Sequence, residues 1–318
     1  MSLPNLIIAG VNKAATTSLY AYLATHPEIC ASPVKEVQYF LPLRYGQTIG
    51  GIENYAQHFE DCAAEKYRLE ATGGYFYGGY PVAQAIANTL ENPKVILVFR
   101  EPISRLFSYY KFKKSTLELP EKFSFEEYIV RCQAIPTEER KKRENNVFWG
   151  IEGGFYANYI DAWLETFPQE NLKILFFEEL KQDTPDTLIE LCHWLNLPHT
   201  DFINSLVFST ENKTVHYKNR FIQKAALTIN WYGEKFWRTH PKIKRTLRSA
   251  YYKMNGQAHT EEIAPQTRAK LETLFQPYNQ RLAQTLREKK GVTLPNWLKE
   301  SLTDTKPEEQ QMIGSRLK

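Results

Sequence analysis

The chain has 318 residues, and 42% of them are hydrophobic, which is ample for one large α/β domain or two small ones. Lys and Arg outnumber Asp and Glu by only 40 to 36, which does not by itself indicate a nucleic-acid partner, and an anionic cofactor would explain the surplus equally well. No stretch approaches the ~18 apolar residues of a membrane span, and the amino terminus lacks the basic region of a signal peptide. We therefore expect a protein without a membrane span and without nucleic acid.

The four cysteines, Cys30, Cys62, Cys132 and Cys192, lie far apart and form no Cys-x-x-Cys pair. Their spacing therefore favours neither a zinc site nor a disulfide scaffold. A reduced, cytoplasmic setting is the simplest interpretation, and we expect no metal site.

The first twenty residues predict a buried strand, a tight turn and a helix. Residues 6–9 are apolar and end at Gly10, which lets the backbone leave the strand in conformations closed to other residues. Beyond the turn, apolar residues recur at helical spacing, and the hydroxyl groups of Thr16, Thr17 and Ser18 fall at the start of the helix. Because a helix amino terminus directly after a strand binds anions, we expect an anion in this turn.

The turn is a variant of the phosphate-binding loop G-x-x-x-x-G-K-[ST]. Gly10 and Thr17 match its first and last positions, but Ala15 and Thr16 stand where the loop has glycine and lysine. The cation lies three places earlier, at Lys13. Because the usual kinase lysine is missing, the loop favours an anion of lower charge, such as a phosphosulfate. Lys13 would then act on the bridging oxygen as the leaving group departs.

The segment from Asn12 to Thr17 resembles the 5′-phosphosulfate loop of sulfotransferases that use 3′-phosphoadenosine 5′-phosphosulfate (PAPS). It is most similar to the heparan sulfate or carbohydrate type, whose loops read R-K-G-G-T and Q-K-T-G-T-T. The resemblance implies an α/β fold with a P-loop-like central parallel sheet flanked by helices, PAPS as co-substrate and no metal. It also implies that the cofactor is bound by Lys13, Ala14, Ala15, Thr16, Thr17 and Ser18.

The next segment, residues 31–40, is predicted to be extended. Its second half, from Glu36 to Phe40, resembles the E-V-H-F-F or E-I-Q-F-F stretch of the same family, in which the glutamate takes the proton of the acceptor. The resemblance implies that Glu36 is the catalytic base, beside Lys13 as the second catalytic residue. The alternative is a solvated pair of Lys35 and Glu36 on a surface strand, and His58 is then the next residue to test as the base.

Residues 67–77 predict a strand that ends in a glycine turn rich in aromatic residues. The stretch from Glu70 to Phe76 resembles the family's E-K-T-P-A-Y-F, with Ala71 in place of the lysine that reaches the active site. The contribution of that lysine must come from elsewhere or be absent. Tyr75 and Phe76 keep the aromatic positions and are candidates for the acceptor cleft or, equally, for the core.

A second strand and helix are predicted at residues 95–110. Arg100 follows the apolar strand, at the edge where open α/β sheets bind ligands, and Pro102 suits the first turn of a helix. The stretch resembles R-D-P-x-x-R-x-x-S-x-Y, with Glu101 in place of the aspartate. The resemblance implies that Arg100 and Ser108 bind the 3′-phosphate of the cofactor, for which guanidinium and hydroxyl donors are well matched.

The resemblance continues to about residue 200, through a predicted helix, strand and helix at 156–167, 172–177 and 186–195. Before these three elements, residues 111–147 are charged. They are either solvated, or they border the acceptor cleft and favour an anionic substrate. Beyond it, Lys218 and Arg220 are weaker candidates for cofactor binding, in loops that would close over the adenine and the 3′-phosphate.

The carboxyl-terminal part predicts basic amphipathic helices over residues 221–253 and a long helix over 265–289. We expect the aromatic stripe of the basic helices, with Trp231 and Trp237, to pack on the core rather than on a membrane. The predicted sulfotransferase domain spans residues 1–298, and residues 299–318 are polar enough to be a disordered tail.

These features together predict an enzyme that moves a sulfuryl group from PAPS to a hydroxyl or amine of a carbohydrate or small-molecule metabolite. A phosphate-loop kinase for small molecules is one alternative, and it would need ATP with magnesium. A non-enzymatic nucleotide-binding module is the other. The sequence leaves open the acceptor and the oligomeric state.

Overall fold

A computed structural model describes residues 1–206, 208, 216–233, 236, 241–257, 261–289 and 292–303. At its centre is a five-stranded sheet in the order β2-β3-β1-β4-β5, in which every pair of neighbours is parallel. The strands are β1 (Leu6–Gly10), β2 (Ile29–Ala31), β3 (Tyr67–Ala71), β4 (Lys94–Phe99) and β5 (Leu172–Phe176). The predicted α/β fold with a central parallel sheet is confirmed.

Helices cover the sheet, so that all five residues of β1 are buried, as an unbroken apolar run in a parallel sheet predicts. The helices of the first two thirds are α1 (Thr16–Leu23), α2 (Ile52–Ala56), α3 (Gly79–Thr89), α4 (Pro102–Ser115), α5 (Phe125–Ala134), α6 (Thr137–Arg140), α7 (Ile160–Thr166), α8 (Phe177–Gln182), α9 (Thr184–Leu195) and α10 (Thr200–Ser205). After them come α11 (Arg220–Tyr232), α12 (Pro241–Asn255), α13 (Pro265–Arg287) and α14 (Asn296–Thr303). None of the helices in the described ranges is long and apolar enough to cross a bilayer.

The order of the strands opens a crevice beside β1. The chain leaves β1 towards β2 on one side and leaves β4 towards β5 on the other, so the loops after β1 and β4 diverge. Ligands of open α/β sheets bind at such a switch point, outside the carboxyl ends of the strands. The loop with Lys13 and the residue Arg100 therefore face one another across this crevice.

A short antiparallel pair lies outside the main sheet. Its strands are β6 (His216–Tyr217) and β7 (Gly256–Gln257). The pair joins the segment that precedes α11 to the segment that follows α12, so it brings the start of α11 near the end of α12.

Cys30 and Cys62 form a disulfide, so the expectation drawn from cysteine spacing is wrong for this pair. Cys30 lies in β2 and Cys62 follows Phe59, and packing of the two segments brings their Cα atoms to 5.7 Å, which is within disulfide range. Cys132 and Cys192 are buried free thiols. The cytoplasmic setting loses its argument from cysteine spacing and stays a prediction.

Three predictions about local structure need correction. Residues 31–40 are extended only to Ala31, because the segment then wraps around the end of β3 with Glu36 and Gln38 at positive φ (66° and 63°). The apolar residues on α11 and α12 are largely exposed rather than packed on the core. Residues 299–303 belong to α14, in which Leu298 and Ser301 are buried; residues 304–318, like the side chains of Trp231 and Trp237, lie outside the described residues.

Candidate active site

The loop after β1 presents backbone amide groups at the amino terminus of α1. Lys13 and Ala15 have left-handed backbones (φ 73° and 61°), and no side chain caps the helix. The first amides of a helix lack intrahelical partners, so this end can bind an anion. Thr17 and Ser18 are partly exposed, whereas Thr16 is buried.

Ala14 differs from the other residues of this loop. Its side chain is buried, and its amide donates a hydrogen bond to the carbonyl of Val11 at 3.3 Å. Cofactor binding by Ala14 remains a prediction. A bound cofactor would have to compete with the Val11 carbonyl for the Ala14 amide. Gly10 is required by close approach, since a Cβ atom there would lie 2.6 Å from Cβ of Phe76.

The ammonium group of Lys13 lies over the ring of Phe112 in α4, with Nζ 4.3 Å from the ring centre. Burial above all, and neighbouring cations after it, lower the pKa of Lys13 to about 8. These cations, in order of their effect, are Arg100, Lys35, Lys111 and Lys113. The charged groups that shift this pKa most are all cations, so the cluster favours a bound anion.

Arg100 fixes the loop from the other side of the crevice. Its Nη1 donates a hydrogen bond to the carbonyl of Lys13 at 2.9 Å, and its guanidinium lies 4.2 Å from the ring centre of Phe177. Its Nε atom is buried without a hydrogen-bond partner, and burial lowers the pKa of Arg100. One polar atom of this side chain is therefore still without a partner, as a ligand site requires.

Ser108 lies one helical turn before Phe112 on α4 and is partly exposed. Residues four apart share a face of a helix, so Ser108 is on the side of α4 that faces Lys13. Lys111 adjoins this face. The structure thus brings Lys13 and Arg100 into contact and places Ser108 on the same face of α4 as Phe112; cofactor binding by these residues stays a prediction.

Glu36 lies on the opposite side of the loop, beside the turn at Gly73. Its Oε1 accepts a hydrogen bond from Nζ of Lys35 at 2.5 Å and lies 3.5 Å from the amide nitrogen of Gly73. A Cβ atom at Gly73 would lie 2.6 Å from Oδ1 of Asn12, directly before Lys13. The Gly73 turn therefore touches both the segment with Glu36 and the loop with Lys13, and glycine at this position lets them approach.

A buried hydrogen-bond network holds the segment with Glu36 in place. Glu70 is fully buried and accepts hydrogen bonds from the hydroxyl groups of Thr72 (2.5 Å) and Tyr55 (3.1 Å). The Thr72 hydroxyl also accepts a bond from the amide of Gln38 at 3.1 Å, two residues from Glu36. Burial raises the pKa of Glu70 to about 7, against the hydrogen bonds from Thr72 and Tyr55, which lower it, and with a smaller contribution from the charge of Glu36. Glu70 is therefore a positioning residue for the candidate base.

Three of the predicted residues lie away from this crevice or on its margin. Lys218 and Arg220 are exposed between β6 and the first turn of α11, and the described contacts do not join them to Lys13 or Arg100. They sit near the far end of α4, where Nε2 of Gln223 donates to the carbonyl of Ser115. His58 lies in a 3-10 helix, Gln57–Phe59, and takes no part in the Glu36 contacts described above.

Two residues of the site were not singled out by the sequence interpretation, Lys111 and Glu70. Lys111 comes three residues after Ser108, so helical spacing alone could have placed it beside the site. Glu70 was quoted only as part of a motif, and its burial depends on β3 being an inner strand, which no local pattern shows. Among the residues that the structure describes, no three His, Cys, Asp or Glu side chains cluster as metal ligands do.

Together, the parallel sheet, the loop after β1 and the cations around Lys13 define an α/β protein with a phosphate-binding-loop-like anion site. Residues 3–238 match the family model described as a sulfotransferase domain. The match covers well over half of the chain, which therefore belongs to the sulfotransferase family.

Relatives and solved structures agree with this assignment. The chain is 27% identical over 306 residues to "Bifunctional heparan sulfate N-deacetylase/N-sulfotransferase 1" of Caenorhabditis elegans, covering 95% of this chain and 32% of that protein. It is 26% identical over 312 residues to the corresponding human enzyme 3, covering 94% and 32%. The chain thus spans about a third of the length of these relatives. A crystal structure of a sulfotransferase from Alicyclobacillus acidocaldarius shares the fold, with a TM-score of 0.66, 21% identity and coverage of 93% and 99%.

Proposed function

We propose that this chain transfers the sulfuryl group of PAPS to a hydroxyl or amine of a carbohydrate or small-molecule acceptor. The observation that carries the proposal is the juxtaposition of Lys13, half-buried among cations, with the Glu36 carboxylate across the Gly73 turn. A cationic pocket beside a carboxylate suits a reaction in which an anionic leaving group departs on one side and a proton is removed on the other.

In this mechanism the acceptor oxygen or nitrogen attacks sulfur in line with the bond to the bridging phosphate oxygen. The new bond to sulfur forms, the bond to the bridging oxygen breaks, and the acceptor proton passes to Glu36. Adenosine 3′,5′-bisphosphate leaves with the negative charge, which Lys13 and the amides of residues 15–18 stabilise. Arg100 and Ser108 bind the 3′-phosphate, while Lys218 and Arg220 remain candidates for closing over it.

Lys35 provides the cation that the family motif has at the position of Ala71. Ala71 is fully buried, and its carbonyl accepts a hydrogen bond from the amide of Glu36 at 2.8 Å. The Nζ atom of Lys35 lies 2.5 Å from Oε1 of Glu36, and Lys35 is among the charges that lower the pKa of Lys13. The ammonium group of Lys35 is therefore close both to Glu36, on the side of the acceptor, and to Lys13, on the side of the sulfuryl donor.

The names of the heparan sulfate N-sulfotransferase relatives support an amine on a glycan as one class of acceptor. The matched probes are heparosan oligosaccharides with free amines and the same oligosaccharides with N-acetyl groups. Transfer of label from sulfur-labelled PAPS to the first set alone indicates N-sulfation, and transfer to both sets indicates O-sulfation. A small-molecule panel extends the test if neither is modified.

Calorimetry separates this function from the two alternatives. We expect adenosine 3′,5′-bisphosphate to bind without a divalent cation, and ATP with magnesium to bind more weakly. The opposite order favours a kinase. Tight binding of the bisphosphate without label transfer to any acceptor favours a nucleotide-binding module.

A further inference from the structure

Residues 218–257, here called the basic hairpin, differ in charge from the rest of the chain. They contain ten of the 40 Lys and Arg and one of the 36 Asp and Glu, giving a net charge of +9 where the whole chain has +4. The remaining residues therefore carry −5. Such segregation of charge within the sequence favours a polyanionic partner for this segment.

The two helices of the basic hairpin also expose their apolar residues. In α11, Phe221, Ile229 and Tyr232 recur on one side and are 83%, 60% and 83% exposed. In α12, Leu247 and Met254 lie seven residues apart on one stripe and are 52% and 63% exposed. Amphipathic helices of globular proteins normally turn this stripe to the core, so its exposure indicates an external partner.

The described contacts join α11 and α12 at one end. The amide of Asn219 donates to Oδ1 of Asn255 at 2.8 Å, and Nδ2 of Asn255 donates to the carbonyl of Asn219 at 3.2 Å. Tyr251 donates to Oε1 of Gln223, whose amide nitrogen bonds to Ser115 of α4. The basic hairpin is thus attached to the sulfotransferase fold through α4.

From the charge and the exposed apolar stripes we infer that the basic hairpin docks on an anionic phospholipid membrane, lying in the interface rather than crossing it. Helices with basic residues and exposed aromatic and aliphatic side chains bind membranes in this way, through charge and apolar burial together. A second copy of this surface is disfavoured because two hairpins of net charge +9 repel each other. A polyanionic polymer would use the charge but leave the apolar stripes uncovered.

The test is flotation of the full chain with vesicles in density gradients that contain no phosphate, run at several salt concentrations. We expect binding to phosphatidylcholine vesicles with about one third phosphatidylserine, and at least tenfold weaker binding to pure phosphatidylcholine. Lys224→Gln with Lys253→Gln, both exposed, should weaken binding by about 25-fold, since one basic residue near the surface contributes roughly fivefold. Equal binding to both vesicle types overturns the proposal.

The apolar component has its own pair of variants. Ile229→Ser with Leu247→Ser should weaken vesicle binding by about tenfold, whereas Val130→Ser in α5, 65% exposed outside the basic hairpin, should not. Unchanged vesicle binding in the first variant overturns the proposal. Complete displacement of the protein from vesicles by heparin also overturns it, because that result assigns the surface to a soluble polyanion. Circular dichroism and bisphosphate binding check that each variant is folded. These measurements do not depend on sulfuryl transfer.

Discussion

The two sides of the crevice hold their charges in different ways. On the donor side, Lys13 and Arg100 are half-buried cations whose contacts are aromatic rings and a backbone carbonyl, and their pKa values are lowered. On the acceptor side, Glu36 has an ion pair with Lys35, and Glu70 is held by two hydroxyl groups. The charges that act most strongly on Lys13 include no carboxylate, although Glu178 and Glu101 act on Arg100, whereas Glu36 on the acceptor side has an ion pair of its own.

This difference indicates how each side works. Unbalanced cations repel one another until an anion binds, so donor binding should return the pKa of Lys13 towards its usual value. The acceptor side is organised before any ligand arrives, because the hydrogen bonds of Glu70 and Thr72 fix the backbone next to Glu36. We therefore expect donor-side changes to alter both binding and turnover, and acceptor-side changes to alter turnover.

The largest effect is expected for Glu36→Gln. Gln keeps the size of the side chain but cannot take a proton, so turnover on a hydroxyl acceptor should fall by ~10²–10⁴-fold. Bisphosphate affinity by calorimetry should stay unchanged. Glu53→Gln, on the exposed face of α2, is the matched control. Near-wild-type turnover in Glu36→Gln would assign proton removal to another residue, with His58 the next to test.

Lys13→Ala should lower kcat by ~10²–10³-fold, because the ammonium stabilises charge that develops in the transition state. The loss of bisphosphate affinity should be smaller. Lys141→Ala, in an exposed pair with Glu138, controls for the loss of one positive charge. Equal losses of kcat and of affinity would make Lys13 a binding residue only.

Arg100→Ala should weaken bisphosphate binding by about 1.5–3 kcal/mol, the range for a hydrogen bond to a charged group. Because Arg100 also bonds to the Lys13 carbonyl, the decisive comparison is with adenosine 5′-monophosphate, which lacks the 3′-phosphate. A loss confined to the bisphosphate supports contact with the 3′-phosphate. An equal loss for both nucleotides shows that Arg100 acts through the loop.

The smallest effect concerns pH. With a pKa of about 8, the Lys13 ammonium of the free enzyme is lost as the pH rises through 8, well below the ordinary value of 10.5. The value of kcat/KM for PAPS, which reports the free enzyme, should therefore fall about tenfold between pH 7 and 9. Bound donor raises this pKa, so kcat should fall at higher pH. Lys13→Arg keeps its charge throughout and should remove the fall in kcat/KM; a fall that persists there belongs to another group.

Local patterns predicted most of the donor side. The apolar run before Gly10, the cation at Lys13 and the position of Arg100 after an apolar strand lie within single strand-turn-helix units, whose geometry depends on neighbours in sequence. For the same reason the boundaries of β4 and α9 came within two residues of those observed. Short-range backbone preferences decide such units.

Long-range packing decided the rest. The disulfide between Cys30 and Cys62, the burial of Glu70 and the approach of Lys35, Lys111 and Lys113 to Lys13 each join residues from separate segments.

By itself, the sequence determined the fold class, and it predicted an anion site in the first turn and a candidate base. Only the tertiary structure decided which charges meet and which apolar stripes stay exposed. Both depend on the order of the strands in the sheet and on which helix faces the core covers, and neither is encoded in a local repeat.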